Sequence, residues 1–353
     1  MEPEPLCIAS GSKVASCLSS RKLSKNGLMT PLVVFEGNMK MINMFRQMMR
    51  RISKSPCAST ESPGERYGRG SFSKSIPDYS SLKDPYVFSS MLCREQHFHL
   101  PLYTYWCRAL GEVPRFHRKQ WEFVYICQVL FERGYLSKGM SALGFGVGKE
   151  PLVSFFANHG VRVLATDLDF SKAAELGWVS TGQHSHNLAS LNERGLCDPN
   201  LFGQLVNFRS VDMNDVPGDI GSYDICWSSC AFEHLGSIRK GLDFVRRSAK
   251  LLKPGGIAVH TTEYNIESND RTLDNNPAFV IFRRRDIELL VQELSSDGYF
   301  VEAIDFSAGE DELERYIDMP PYIDEPHLRL QLSGEYTSTS IGIIVRAPKE
   351  AIQ

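Results

Sequence analysis

The sequence has no long apolar run, no surplus of basic charge and no paired cysteine motif. Each absence removes a class of function. A membrane-spanning helix needs about 20 consecutive apolar residues, and the longest apolar stretches here have the length of buried strands. The 39 Lys and Arg residues against 42 Asp and Glu give a formal charge of −3, so nothing in the charge balance draws the chain to nucleic acid. Nine cysteines are scattered along 353 residues; an odd count with no CxxC pair supports neither a zinc ribbon nor a disulfide framework. Cys127 and Cys226 sit inside apolar runs as small core residues, and a reducing cytoplasm is the expected location. No apolar segment follows the acidic start MEPEP, so a secretory signal is not expected.

What is present divides into three parts. Residues 1–80 are rich in Ser, Lys and Arg and read as a flexible basic extension. Within it, Met41, Met44, Phe45, Met48, Met49 and Ile52 recur at helical spacing, which predicts an amphipathic helix over about 41–52. Its basic face suits a weak contact with a membrane surface or a partner protein. Residues 81–136 read as a helical, aromatic-rich cap; His97 and His99 are spaced i, i+2 and share no helix face, so they make a poor metal pair. From 137 to 347 strand and helix signals alternate, the pattern of a Rossmann-like α/β domain with a parallel, doubly covered sheet. Ligands of such sheets bind at the carboxyl ends of the strands.

The first strand of that domain runs into GFGVGKE, Gly144 to Glu150. A phosphate-binding ATPase loop needs Ser or Thr after the Gly-Lys pair; here Glu150 follows Lys149, and Leu143 stands where the first glycine belongs. A dinucleotide turn needs GxGxxG, and Lys149 occupies its third glycine position. That weakens an NAD(P)-linked oxidoreductase without removing it. The remaining arrangement uses glycines to admit an uncharged, nucleoside-like ligand. It requires an acid at the end of the second strand, met by Asp167, and a polar residue after the third, met by Asp212.

With these residues in place the sequence resembles the class I S-adenosylmethionine-dependent methyltransferases. The likeness is carried by ALGFGVG (Ala142 to Gly148), ATDLD (Ala165 to Asp169), SVDMND (Ser210 to Asp215), YDICWSSCAFEHLGS (Tyr223 to Ser237) and LLKPGGIAVHTTE (Leu251 to Glu263). It implies a seven-stranded sheet, mostly parallel, whose last strand is antiparallel, and S-adenosylmethionine as cofactor. It also implies that Gly144, Phe145, Gly146 and Gly148 approach the methionine moiety and that Asp167 and Leu168 meet the ribose. Asp212 and Met213 would meet the adenine, and Ser228 and Ser229 would flank the sulfonium. A protein that binds the cofactor without catalysis is the alternative of a different class.

Methyl transfer to a hydroxyl needs alignment and a proton acceptor. Glu233 and His234 follow the fourth strand, and His260 and Glu263 lie at or past the end of the fifth. His234 is the first choice as base, because an imidazole titrates near neutrality. His260, Glu263 and His327 could also converge on a divalent cation, although nothing in the spacing requires a metal. WSSC (Trp227 to Cys230) stands where amino-methylating enzymes of nucleic acids carry an NPPY-type tetrapeptide. The expected acceptor is therefore an oxygen of a small molecule or glycan, held in a walled pocket.

Overall fold

The computed structural model describes residues 86–175, 184–185 and 188–350. The expected helix at 41–52 lies outside the described residues, as do Trp178, Gln183 and His186 of the segment after the second strand. None of the described helices is long and apolar enough to cross a membrane.

The first described elements are a short strand, β1 (Ser90–Leu92), and three helices, α1 (Glu95–Phe98), α2 (Pro101–Ala109) and α3 (Arg118–Glu132). Helix α3 is started by His117, whose ring nitrogen accepts from the Lys119 N–H at 3.1 Å. It has no Gly or Pro and is buried from Gln120 to Leu130, its polar Gln120, Glu122 and Gln128 included. Trp121 and Tyr125 stack along it, and Tyr125 donates to the Ser89 carbonyl at 2.9 Å.

The α/β unit follows as β2 (Ser141–Phe145), α4 (Leu152–Asn158), β3 (Arg162–Asp167), α5 (Phe170–Glu175), α6 (Pro199–Leu205), β4 (Val206–Ser210) and β5 (Tyr223–Ser229). It continues with α7 (Ile238–Ala249), β6 (Leu252–Asn265), α8 (Arg284–Ser296), β7 (Phe300–Val301), β8 (Ile304–Asp305), β9 (Ile317–Asp318), β10 (Arg329–Leu332) and β11 (Tyr336–Arg346). The sheet order is β4-β3-β2-β5-β6-β11-β1-β8, with β2 to β6 parallel and β11 antiparallel to β6. Side chains alternate across it. Ala142, Ile225, Trp227, Val259 and Ile344 meet α2, α3 and α4 on one face. Leu143, Phe145, Cys226, Ala258 and Ile343 meet α7 and α8 on the other.

The doubly covered sheet and the antiparallel last strand match the expectation; the strand number does not. Among the described residues the sheet has 11 strands rather than seven. The segment FVEAIDF (Phe300 to Phe306) starts against β11 as β7 and then parts from it as β8, because β1 enters between them. Strands β9 and β10 lie in the connection before β11, whose length was visible but whose pairing was not. Region 81–136 thus supplies a strand of the sheet as well as helices.

Two close approaches fix the two ends of this scaffold. At Gly342 a Cβ would run into the Tyr125 ring, so α3 lies directly on the β11 backbone. At Gly144 a Cβ would run into the Trp227 ring, whose Nε1–H donates to Glu150 Oε1 at 2.7 Å. The carboxylate that argues against a phosphate at this turn is therefore an internal partner of the core tryptophan.

Gly342→Ala is expected to lower stability by ~1–3 kcal/mol, the cost of overpacking a filled core, read from urea unfolding; an unchanged midpoint would refute the α3–β11 contact. Burial pushes the Glu150 carboxyl from its ordinary 4.5 up to about 8. The folded chain then holds a proton that the unfolded chain has released, so this group lowers stability as pH rises through that window. Glu150→Gln keeps a carbonyl acceptor for Trp227 and removes the titration. Its stability relative to the natural chain should grow from about pH 5 to about pH 8, and a pH-independent difference would contradict this.

Candidate active site

The carboxyl ends of β2, β3 and β5 bring the glycine turn and the acids together. Gly146 and Gly148 have φ of +57° and +50°, a left-handed conformation that side chains resist. A Cβ on Gly146 would lie 2.9 Å from Ala231 Cβ and 3.4 Å from the Met213 sulfur, so the turn is open only because that atom is missing. Asp167 closes it: Oδ2 accepts from the Gly148 N–H at 3.1 Å, and Oδ1 from the Leu168 N–H at 2.8 Å. Burial raises the Asp167 carboxyl, against the pull of His184 and these amides. Asp212 caps its own turn through the Asn214 N–H at 2.9 Å and keeps its other oxygen 3.5 Å from the Lys172 ammonium. Lys149 is exposed, two residues before the helix cap Pro151, and faces Glu193 at 3.7 Å.

Three of the residues expected at the cofactor have side-chain space or partners in the core. Gly144 makes room for Trp227, and the buried Phe145 ring packs edge-on against Phe244 at 5.0 Å, so Phe145 can reach a ligand only through its backbone. The Ser228 hydroxyl lies 2.8 Å from His260 Nδ1, and the Ser248 hydroxyl 2.8 Å from His260 Nε2. Burial pushes this imidazole down to about 3. With both ring nitrogens engaged and no exposure, His260 joins β5, β6 and α7 and cannot serve as a base.

A buried polar assembly comes from helix α3, whose charges are not among the residues expected at the site. Arg118 and Lys119 begin α3, and Glu122 follows one turn later. Arg118 bonds the Glu263 carboxylate and donates to Ser340 Oγ at 3.0 Å. The buried Glu122 accepts from Lys119 Nζ (3.2 Å), Ser229 Oγ (3.0 Å), Thr261 Oγ1 (3.1 Å) and Cys230 Sγ (2.9 Å). Burial works to raise the Glu122 carboxyl, but Lys119 and Arg118 hold it below the ordinary value. Lys119 Nζ also donates to the Ser229 carbonyl at 2.9 Å and to Ser229 Oγ at 3.3 Å, and the Lys119 side chain is 19 % exposed. Cys230 turns the chain at the end of β5 with φ +44°, which aims its sulfur back at Glu122. The available signal was an ion pair at i, i+4 inside a mostly apolar run: such charges have only each other and the sheet to meet.

Beyond β5, Glu233 and His234 sit on a short 3-10 turn (Phe232–Leu235). Glu233 is buried, accepts from Thr262 Oγ1 at 2.9 Å, and is pushed by burial up to about 7, with Lys119 pulling the other way. His234 Nδ1 donates to the Ala278 carbonyl at 2.7 Å, and burial lowers this ring to about 4. The Glu263 carboxylate is taken by Arg118 and by Ser338 Oγ, at 2.6 Å from the latter. His327 is not part of a set with His260 and Glu263: its Nδ1 is 2.6 Å from Asp318 Oδ2 and its ring stacks on His117 at 4.5 Å. Among the described residues, the potential ligand atoms that do gather, within 4.8 Å of one another, are those of Cys230, Glu233 and Glu263. Arg118 already supplies the cation there.

Residues 143–260 match a family model described as a methyltransferase domain. None of the curated proteins matches the chain. Among solved structures, a putative sarcosine dimethylglycine methyltransferase from Galdieria sulphuraria is similar at 15 % identity, covering 66 % of this chain and 85 % of its own, with a TM-score of 0.41. The 1,6-didemethyltoxoflavin-N1-methyltransferase of Burkholderia thailandensis is similar at 14 % identity, covering 62 % and 74 %, with a TM-score of 0.38. A magnesium protoporphyrin IX methyltransferase from Synechocystis PCC 6803 is similar at 12 % identity, covering 68 % and 92 %, with a TM-score of 0.37. Gly146 and Asp167 fit S-adenosylmethionine, the first by the Cβ it lacks and the second by two carboxylate oxygens held against the turn's amides. Residues 143–260 therefore form a methyltransferase domain.

Proposed function

We propose that the domain methylates an oxygen of a small-molecule or saccharide-type acceptor by in-line displacement, with a carboxylate taking the hydroxyl proton. Glu233 carries this reading. It is a buried carboxyl beyond the end of β5, raised to about 7, so it exchanges a proton near neutrality. His234, the first choice from sequence, is less suited: its Nδ1–H is committed to Ala278 and its ring is lowered to about 4. His234 instead flanks Glu233, with Nε2 3.7 Å from Oε1. The hydroxyls of Ser229, Thr261, Thr262 and Ser338 and the Glu263 carboxylate make this end of the sheet polar, which favours an acceptor rich in hydroxyl groups.

When bound, the cofactor supplies a methyl group on a sulfonium, a leaving group that is already activated. The residues around it then have to bind and align. Gly146 and Gly148 keep the turn open, Asp167 accepts from the ribose hydroxyls, and Leu168 offers backbone beside it. Asp212 and Met213 border the adenine. Lys119, beside Ser229 and partly exposed along its side chain, pairs with the carboxylate of the amino-acid end.

Calorimetry with S-adenosylhomocysteine tests the binding half. Asp167→Ala should weaken affinity about 10- to 100-fold, the worth of lost hydrogen bonds to a charged group. Lys119→Met should weaken S-adenosylhomocysteine and leave 5′-methylthioadenosine, which has no carboxylate, unaffected; equal losses for both would remove Lys119 from this role. For the transfer half, Glu233→Gln should cut kcat on hydroxyl acceptors by ~10²–10⁴ with S-adenosylhomocysteine affinity unchanged. Labelled methyl recovered only on nitrogen or carbon acceptors would sink the oxygen assignment.

A further inference from the structure

Two buried polar atoms in this region lack a partner, and they are complementary. Arg118 Nε–H is a donor with no acceptor, and His327 Nε2 is a buried ring nitrogen with no bond. The His327 ring is neutral, because burial lowers it despite Asp318. Asp318 Oδ2 accepts the hydrogen on Nδ1 at 2.6 Å, so the lone pair is on Nε2. An unmet acceptor in a ring that is 2 % exposed destabilises the fold. Such a cost persists where a ligand or a water removes it.

The backbone joins the two residues. The His327 carbonyl accepts from the Arg118 N–H at 3.0 Å, the His327 N–H donates to the Phe116 carbonyl at 2.8 Å, and the Arg118 charge reaches the His327 ring. They also adjoin the transfer end of the sheet. The Tyr322 ring meets His327 edge-on at 5.9 Å and packs in one cluster with Phe279. Ala278, next to Phe279, holds His234.

A hydroxyl group can act in both senses, accepting from Arg118 Nε–H and donating to His327 Nε2. We propose that Arg118 and the Asp318–His327 pair form a recognition pocket for a second hydroxyl of the acceptor, one that is bound and not methylated. This rests on the oxygen-acceptor reading above and narrows it: the substrate is a polyol or saccharide with at least two hydroxyls in fixed relation. An acceptor with a single hydroxyl would leave both buried groups unmet.

The test uses the full chain with labelled S-adenosylmethionine and a panel of methyl glycosides, each paired with its mono-deoxy derivatives. In the natural chain, removing the recognised hydroxyl should lower kcat/KM by about 10²-fold or more, since a site built for a hydroxyl rejects the analogue without it. In His327→Phe, the parent glycoside should fall and the same deoxy probe should no longer be disfavoured, the pair agreeing within about 3-fold. His327→Gln, which keeps a polar group beside Asp318, checks the fold, with S-adenosylhomocysteine affinity as the common reference. Undiminished deoxy discrimination in both variants, or none in the natural chain, would mean that a buried water meets the two atoms, and would overturn the proposal alone. A natural chain that labels nitrogen or carbon acceptors but no glycoside oxygen would overturn the oxygen reading together with it.

Discussion

The contact between Arg118 and Glu263 holds the site together. Glu263 lies on β6, at the carboxyl ends of the strands where an acceptor is handled, and it is buried. A carboxylate there without a cation would carry a large desolvation penalty. The cation comes from outside the α/β unit, on a helix that precedes it in the chain. Once Arg118 is docked, Lys119 and Glu122 are placed one turn apart over the end of β5, and Ser229, Cys230, Thr261 and Ser340 are all drawn to Glu122 or Arg118. Breaking a buried pair of this kind by removing one member typically costs ~3–5 kcal/mol, because the other charge is stranded. The same electrostatics set the protonation of the remaining acids. Glu122 stays low beside two cations, whereas Glu233 and Glu150, with weaker compensation, are pushed up.

Much of the scaffold was legible because it depends on local rules. Alternating strands and helices define a doubly covered sheet, and the order of the glycine turn, Asp167 and Asp212 places a nucleoside-like ligand at strand ends. The parts that were missed depend on partners far away in sequence. Nothing near Gly144 says that its missing Cβ makes room for Trp227, and nothing near Ser228 or His260 says that they bond each other across two strands. The chemistry of a histidine was misjudged for the same reason. Residue type suggests a base, but the ring nitrogens of His260 and the Nδ1 of His234 are claimed by groups that only the fold brings near. The acids of α3 were overlooked because an amphipathic pattern is the usual signal of a helix's role, and this helix has none.

The turn after β5 shows how backbone and side chain share one task. Cys230 adopts a positive φ that costs a side-chain-bearing residue of order 1 kcal/mol. Its amide is held by the Thr261 carbonyl at 3.1 Å and its sulfur by Glu122, so the surrounding bonds over-determine the strained conformation. The chain then rises directly into the turn that carries Glu233 and His234. A relaxed turn would place those two residues differently against the strand ends.

Strand β1 bears on how the molecule is made. The Ser90 hydroxyl accepts from the Ile344 N–H, a partner 254 positions later, and Met91 pairs with Gly342. Helix α3 reaches β11 in the same way. Both are synthesised before any strand of the parallel sheet, yet each needs the last strand as its neighbour. Closure of loops this long precedes any reward from the contacts, which slows folding. The earliest described segments of the chain must therefore wait, with their apolar faces uncovered, until the final strand has left the ribosome.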